Sequence, residues 1–261
     1  MKTPKERKAL IEEHATSVNQ KAFGVLKKLI IAIQPEDPER RRISDESLLA
    51  DILGANPVPI PRNLSIDPKA VDLLYRFLDL IRLPESFAAI EPMARRYPWK
   101  GAISRARHLE NCWFLLTHEA YILEERLKRF LNSAAACAED RGRHFDKSIT
   151  KTLLKAHKEN FGDMVVARGM HVHQRATIPR EIERVALIEL LKGEQQVYEL
   201  LERLAFANAR KKLIARSATS RIDAKVLIAM AVNLTEAVWK TVVREELKKF
   251  PAKRPPRTKK Q

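Results

Sequence analysis

The stretch from Val165 to Arg175, V-V-A-R-G-M-H-V-H-Q-R, gathers an arginine and two histidines within a few residues of each other. An Arg fork holds a phosphate through paired donors, and a His titrating near neutrality takes or gives a proton, so the two together suit phosphate-ester chemistry. On RNA that chemistry is cleavage without a metal. His173 would take a proton from a ribose 2′-hydroxyl or give one to the leaving oxygen, and Arg168 would hold the scissile phosphate. Arg168 extends an apolar stripe through Phe161, Met164 and Val165, which aims its guanidinium toward a helix interface where an acceptor is required. His171 shares the face of Arg168 if the helix persists, whereas His173 is turned away by about 140°, at about 100° per residue, and converges on Arg168 where the helix ends.

A further polar group is expected from the preceding helix. Glu119 has Leu115, Leu116, Ile122 and Leu123 as helical neighbours, which places a carboxylate at the edge of an apolar face. It would orient Arg168 or a histidine, or else make a structural ion pair or an exposed flank. Metal chemistry finds little support: His171 and His173 form a His-x-His pair, but on a helix those rings stand about 200° apart. No metal ligand set and no cofactor site is expected. Cys112 and Cys137 fall on helical seams among Leu, Trp and Ala, as buried thiols do, and about 37 Å of helix separates them at ~1.5 Å per residue, too far for a disulfide. His144 and His157 are expected on the surface or a helix flank.

The elements that carry these residues are helices. Leu109, Trp113, Leu116, Ala120, Leu123, Leu127, Phe130 and Ala134 alternate spacings of three and four, a packing seam that the run Asp140-Arg-Gly-Arg breaks. A second helix over 146–172 returns along the first as an antiparallel hairpin. Pro179 opens a third, with its apolar stripe running from Val185 to Leu204, and a fourth spans 221–249. Upstream, ten of the 14 prolines lie between Pro4 and Pro98. They leave room for a helix over 5–33, a short one over 45–53, one that opens at Asp67-Pro68, and one over 85–95. Strand-like alternation is absent. The expectation is an all-α protein: a proline-rich, partly helical region over 1–103, a bundle of four long helices over 104–249, and a disordered basic tail over 250–261.

A long helical hairpin followed by Arg, four residues and His resembles the HEPN superfamily (higher eukaryotes and prokaryotes nucleotide-binding), with Arg168 and His173 at the motif positions. Gly169 departs from the polar residue that many members carry there, and the resemblance covers at most residues 104–248. It implies a helical homodimer with two motifs facing across the interface and metal-independent endoribonuclease activity, commonly in toxins and antiviral defence, with an antitoxin or regulatory protein as a further partner.

Charge points the same way. The chain has 261 residues and 49 Lys plus Arg against 33 Asp plus Glu, a net +16, which attracts polyanions, RNA among them. Arg175, Arg141, Arg143, Lys253, Arg254 and Arg257 are expected to contact nucleic acid, and Tyr97 with Trp99 either stacks on bases or anchors a loop. The charged start MKTPKERKAL and the lack of a long apolar run argue against a secretory signal or a membrane span and for a cytoplasmic protein. The alternative of a different class is a non-catalytic helical adaptor or nucleic-acid binder.

Overall fold

The computed structural model describes residues 4–33, 67–98, 103–173, 177–191 and 196–249. The fold is all-α. Eight helices are present among the described residues: α1 (Pro4–Ile33), α2 (Pro68–Ile81), α3 (Leu83–Arg95), α4 (Arg105–Asp140), α5 (Ser148–His173), α6 (Arg180–Leu191), α7 (Gln196–Leu234) and α8 (Glu236–Lys249). No strand occurs among these residues. The helix expected over 45–53, the Trp99 ring and the basic tail lie outside them.

Local chemistry explains where the helices start and stop. Asp67 caps α2 by accepting from Lys69 N at 2.9 Å, with Pro68 at the first helical position. Ser104 caps α4 by accepting from Arg107 N at 3.2 Å. At its far end α4 closes on Gly142, whose φ of 62° lies in the left-handed region. There Gly142 N donates to Glu139 O at 2.9 Å and Arg143 N to Ala138 O at 2.9 Å, taking up carbonyls that the helix leaves open.

The long hairpin forms as expected. α4 and α5 pack antiparallel, with Leu116, Ala120, Leu123 and Leu127 of α4 facing Leu153, Phe161 and Met164 of α5, all buried. The second half of the bundle departs from the expected four-helix layout. The stripe running on from Val185 is broken, α6 ending at Leu191, and residues 196–234 then form one helix of 39 residues. The fourth expected helix is split at Thr235, which is buried and donates from Oγ1 to Ala231 O at 2.8 Å.

The reason lies in residues 205–220, where small side chains replace the large apolar stripe that marks a packed helix. Ser217 lets α3 come close, its Oγ donating to Phe87 O at 2.7 Å. α7 therefore continues through a stretch of weak hydrophobic periodicity. One core cluster runs from Ala22 through Phe77 and Phe87 of the N-terminal helices to Trp239 and Val243 of α8, so helices on both sides of residue 103 share it.

A Cβ added at Gly142 would meet nothing within 4 Å, which leaves backbone conformation as the whole cost of a side chain there. Gly142→Ala is expected to lower stability by about 1 kcal/mol and the melting temperature by roughly 2–4 °C, measured by thermal denaturation.

Candidate functional site

Arg168 sits in the last turns of α5, one residue beyond the buried Ala167 and at the edge of the stripe Leu153, His157, Phe161, Met164. Its guanidinium carbon lies 3.7 Å from the centroid of the Tyr121 ring on α4, a cation–π contact across the hairpin. Stacking leaves the edge of the guanidinium plane, where all five N–H donors point, directed away from the ring. Arg168 makes no ion pair with a carboxylate among the described residues. A Cβ on the adjacent Gly169 would meet nothing within 4 Å, and Val166 and Met170 on the same turns are exposed, so the surface around the guanidinium is open. α5 continues through His171 to His173, which places both histidines in its final turn.

Glu119 does not join Arg168. On α4 it stands about 200° from Tyr121, so the two flank opposite sides of the buried Leu116–Ala120–Leu123 stripe. Glu119 is half-buried and has no hydrogen bond or ion pair among the described residues. An aromatic ring from α4, rather than a carboxylate, is what positions Arg168. Residue type alone could have suggested Tyr121, since it occupies the opposite flank of the same seam.

His157, expected on the surface, is instead buried at 2% exposure. It stacks on Phe161 with 5.1 Å between centroids, and its Nε2 lies 3.0 Å from Ala120 O, so that nitrogen carries the proton and donates. Burial pushes its pKa below the ordinary 6.5, and the bond to the Ala120 carbonyl opposes this more weakly. The ring fills a stripe position that sequence patterning assigns to an apolar residue.

The basic residues divide. Arg141, expected to bind nucleic acid, spends its guanidinium inside the protein: Nε donates to Glu245 Oε2 at 2.6 Å, Nη1 to Cys137 O at 3.0 Å and Nη2 to Asp67 Oδ2 at 3.0 Å. Arg143 is exposed, and its Nη1 donates to the hydroxyl of Thr241 on α8 at 2.9 Å. Beside it Lys240, Arg244 and Lys248 recur every four residues along the outer face of α8. Of the acids of that helix, Glu236 pairs with Lys240 of this same face at 2.5 Å, Glu245 turns to Arg141, and Glu246 is buried. Arg244 and Lys248 form no ion pair among the described residues, and their face borders a shallow groove with Val25, Val243 and Leu247. Arg175, Lys253, Arg254 and Arg257 lie outside the described residues.

Tyr97 anchors its loop, donating to Ile103 O at 2.9 Å and packing edge-on against His108 and Phe206. A cleft of about 340 Å³ opens among α4 to α7, with Trp113, Ile182 and Leu213 in its lining. Its charges cancel in two pairs, Lys212 with Glu181 and Arg216 with Asp163, and Arg168 is not part of it. No cluster of three or more His, Cys, Asp or Glu residues able to hold a metal exists among the described residues. Both cysteines are buried and free, and burial pushes each thiol up to about 11. No single helix among the described residues is long and apolar enough to cross a membrane. No family model, curated protein or solved structure matches the chain.

Two outcomes follow from these buried groups. Below pH 6.5 the unfolded chain protonates His157 while the folded ring stays neutral to lower pH, so stability falls as pH drops through that region. Asp140, Asp146 and Glu181, each held below its ordinary value chiefly by a side-chain hydrogen bond, add their loss only nearer pH 4. Denaturant midpoints between pH 7 and 5 should therefore decline, and His157→Gln should flatten that limb. Neither thiol should react with a disulfide reagent at pH 7.5 in the native protein, and both should react once it is unfolded.

Proposed function

We propose that this chain is an HEPN-like RNA-binding protein and a metal-independent endoribonuclease. The observation that carries the proposal is the state of Arg168. It is held in place by the Tyr121 ring, has no carboxylate partner among the described residues, stands beside the open surface at Gly169, and precedes by five residues the His173 that ends α5. An arginine with a structural role at a helix interface ordinarily has an acidic partner, as Arg105 has in Glu202 at 2.8 Å. Arg168 retains its charge and its donors for a ligand.

In the proposed reaction Arg168 binds the non-bridging oxygens of the scissile phosphate. The ribose 2′-oxygen gives up its proton and attacks phosphorus, and the bond to the 5′-oxygen breaks. The 5′-oxygen is protonated as it leaves, and a 2′,3′-cyclic phosphate remains. His173 carries one of the two proton transfers, solvent water carries the other, and His171 is a supporting polar group. Glu119 lies on the opposite flank of α4 from Tyr121 and has no part in this step. RNA reach would come from a strip of Arg143, Arg244 and Lys248, of which Arg244 and Lys248 have no ion pair among the described residues, with Lys240, paired to Glu236, beside them.

That strip also favours a second reading, a non-catalytic nucleic-acid-binding protein in which charge alone supplies the function. One experiment separates the two. Purified wild type, Arg168→Ala and His173→Ala are incubated with single-stranded and structured RNA in EDTA, and products are analysed for 2′,3′-cyclic phosphate ends. Cleavage by wild type, reduced at least about a hundredfold in both variants with melting temperatures unchanged, is the expected outcome. RNA binding without cleavage in all three proteins assigns the chain to the second reading. In either case Arg244→Gln with Lys248→Gln should lower the slope of log affinity against log salt by about 1.4 for single-stranded RNA, at ~0.7 for each phosphate that is no longer neutralised.

A further inference from the structure

The start of α4 is held by stacked rings and by ion pairs that leave one guanidinium over. Phe206 of α7 is buried and packs edge-on against Tyr97, with 5.4 Å between centroids, and Tyr97 packs in turn on His108 of α4, again at 5.4 Å. Two guanidinium carbons lie beside the same Phe206 ring, Arg105 at 5.8 Å and Arg210 at 5.3 Å from its centroid. Arg105 is neutralised by Glu202 at 2.8 Å. Arg210 is half-buried and has neither an ion pair nor a hydrogen bond among the described residues.

The acids at this end of the bundle are committed. Glu202 serves Arg105, Glu189 accepts from Ala106 N at 3.1 Å, Glu110 pairs with Arg107 at 3.1 Å and Glu91 with Arg95 at 2.8 Å. The bond from Ser217 to Phe87 and the contact of Phe206 with Tyr97, just beyond α3, set α3 and α7 antiparallel and bring Arg210 level with the last turn of α3. The carbonyls of that turn form the negative end of the helix, yet Arg210 donates to none of them. Arg96, the C-cap of α3 and the residue before Tyr97, is exposed and has no ion pair among the described residues. A further polar group in the cluster is unmet: His108 is 8% exposed, and its Nε2 has no hydrogen-bond partner among the described residues.

A cation partly withdrawn from water and lacking an acid is stabilised by an incoming anion. The Phe206 ring restrains the guanidinium and leaves its in-plane donors free, and two parallel N–H donors match the two non-bridging oxygens of a phosphate. We propose that Arg210, held against Phe206 and with the charge of Arg96 at the adjoining end of α3, is a phosphate-binding position separate from Arg168. About 20 Å of α4 lies between His108 and Tyr121, at ~1.5 Å per residue, so one phosphate does not bridge the two positions. The phosphate belongs to a nucleic-acid backbone or is a free phosphate ion. In the first case the position rests on the RNA-binding part of the function proposed above, and it requires no cleavage.

Full-length protein is treated with phenylglyoxal, which consumes free guanidinium groups, and the modified arginines are mapped by mass spectrometry. The reaction is run alone, with inorganic phosphate, and with a single-stranded 2′-deoxy oligonucleotide, which has no 2′-oxygen to attack and so binds without cleavage. Modification of Arg210 should slow at least about fivefold with one probe or both, while Arg76, paired with Asp72 at 3.1 Å, changes little. Unchanged modification of Arg210 with both probes, or equal slowing at Arg76, would overturn the proposal. Arg210→Gln then reads the source of the phosphate. A fall of about 0.7 in the slope of log affinity against log salt for the oligonucleotide assigns it to the backbone, and protection by inorganic phosphate with an unchanged slope assigns it to the free ion. Protection by the oligonucleotide alone with an unchanged slope would mean that Arg210 is covered rather than bonded, and would overturn the proposal too. The wild-type protection pattern decides the matter if the variant misfolds. An inactive protein in which Arg210 is protected keeps this proposal and loses the ribonuclease reading, and an active one with Arg210 unprotected does the reverse.

Discussion

Every other helix among the described residues touches α7. A helix of 39 residues is about 58 Å long at ~1.5 Å per residue, longer than a single small core, so it has to present different faces to different neighbours along its length. Near its start it meets α6 and the beginning of α4, in its middle α3, and toward its end α1. Each contact asks for a different side-chain size. Phe206 fills the space beside Tyr97, Ser217 allows the Phe87 carbonyl within hydrogen-bonding distance, and Ala224, Leu227, Ile228 and Ala231 close the core further along. The polar groups buried along the way have partners that fix the register: Glu202 with Arg105, Ser217 with Phe87. An unpaired carboxylate at Glu202 would carry a desolvation cost of several kcal/mol, so the Arg105 pair specifies how the start of α4 docks as much as it stabilises it.

The same logic partitions the charge. A net +16 could have been spread evenly, but acids and bases are matched where helices join and along single helices, while Arg244 and Lys248 on the outer face of α8 have no ion pair among the described residues. Arg141 illustrates the first case, joining the cap of α2, the last turn of α4 and the flank of α8 through Asp67, the Cys137 carbonyl and Glu245. Asp67 serves both as the cap of α2 and as a partner of Arg141, so the cap and the clasp are coupled. Because Glu245 is drawn inward to Arg141, and Glu246 is buried, the outer face of α8 keeps its positive charge. Internal pairing and external field are two sides of one arrangement, and substitution of an inward acid alters both.

Helix positions were largely legible because apolar spacing and caps mark them: the Asp67-Pro68 start, the seam from Leu109 to Ala134 and the stop at Gly142 all carry local signals. Connectivity within residues 196–234 was not legible. Between the buried Leu213 and Leu227 the core-facing positions are Ser217, Ser220 and Ala224, Ser217 donating to the Phe87 carbonyl of α3, so the large apolar stripe is interrupted there. His157 was missed for a related reason. A neutral imidazole that donates to a carbonyl and stacks on Phe161 behaves as an aromatic core residue, and only the tertiary partner reveals this. The motif Arg168 to His173 was legible as a pair of residue types, whereas the support of Arg168 was not. Glu119 and Tyr121 both neighbour the α4 seam, and choosing between them requires knowing on which flank α5 lies.

That choice has chemical weight. A carboxylate that held Arg168 would also neutralise it, and an incoming phosphate would have to compete with a fixed anion. The Tyr121 ring restrains the guanidinium through its face and leaves the in-plane donors without a competitor among the described residues. Stacking also shields one face of the ion from water, which strengthens its attraction for an anion approaching along the edge. The side chain is thereby oriented before a ligand arrives, and less rotamer entropy is lost on binding than a free surface arginine would lose. Replacing Tyr121 by a carboxylate-bearing residue would hold Arg168 and neutralise it together, so under the proposed function an aromatic support leaves the guanidinium available where an acid would not.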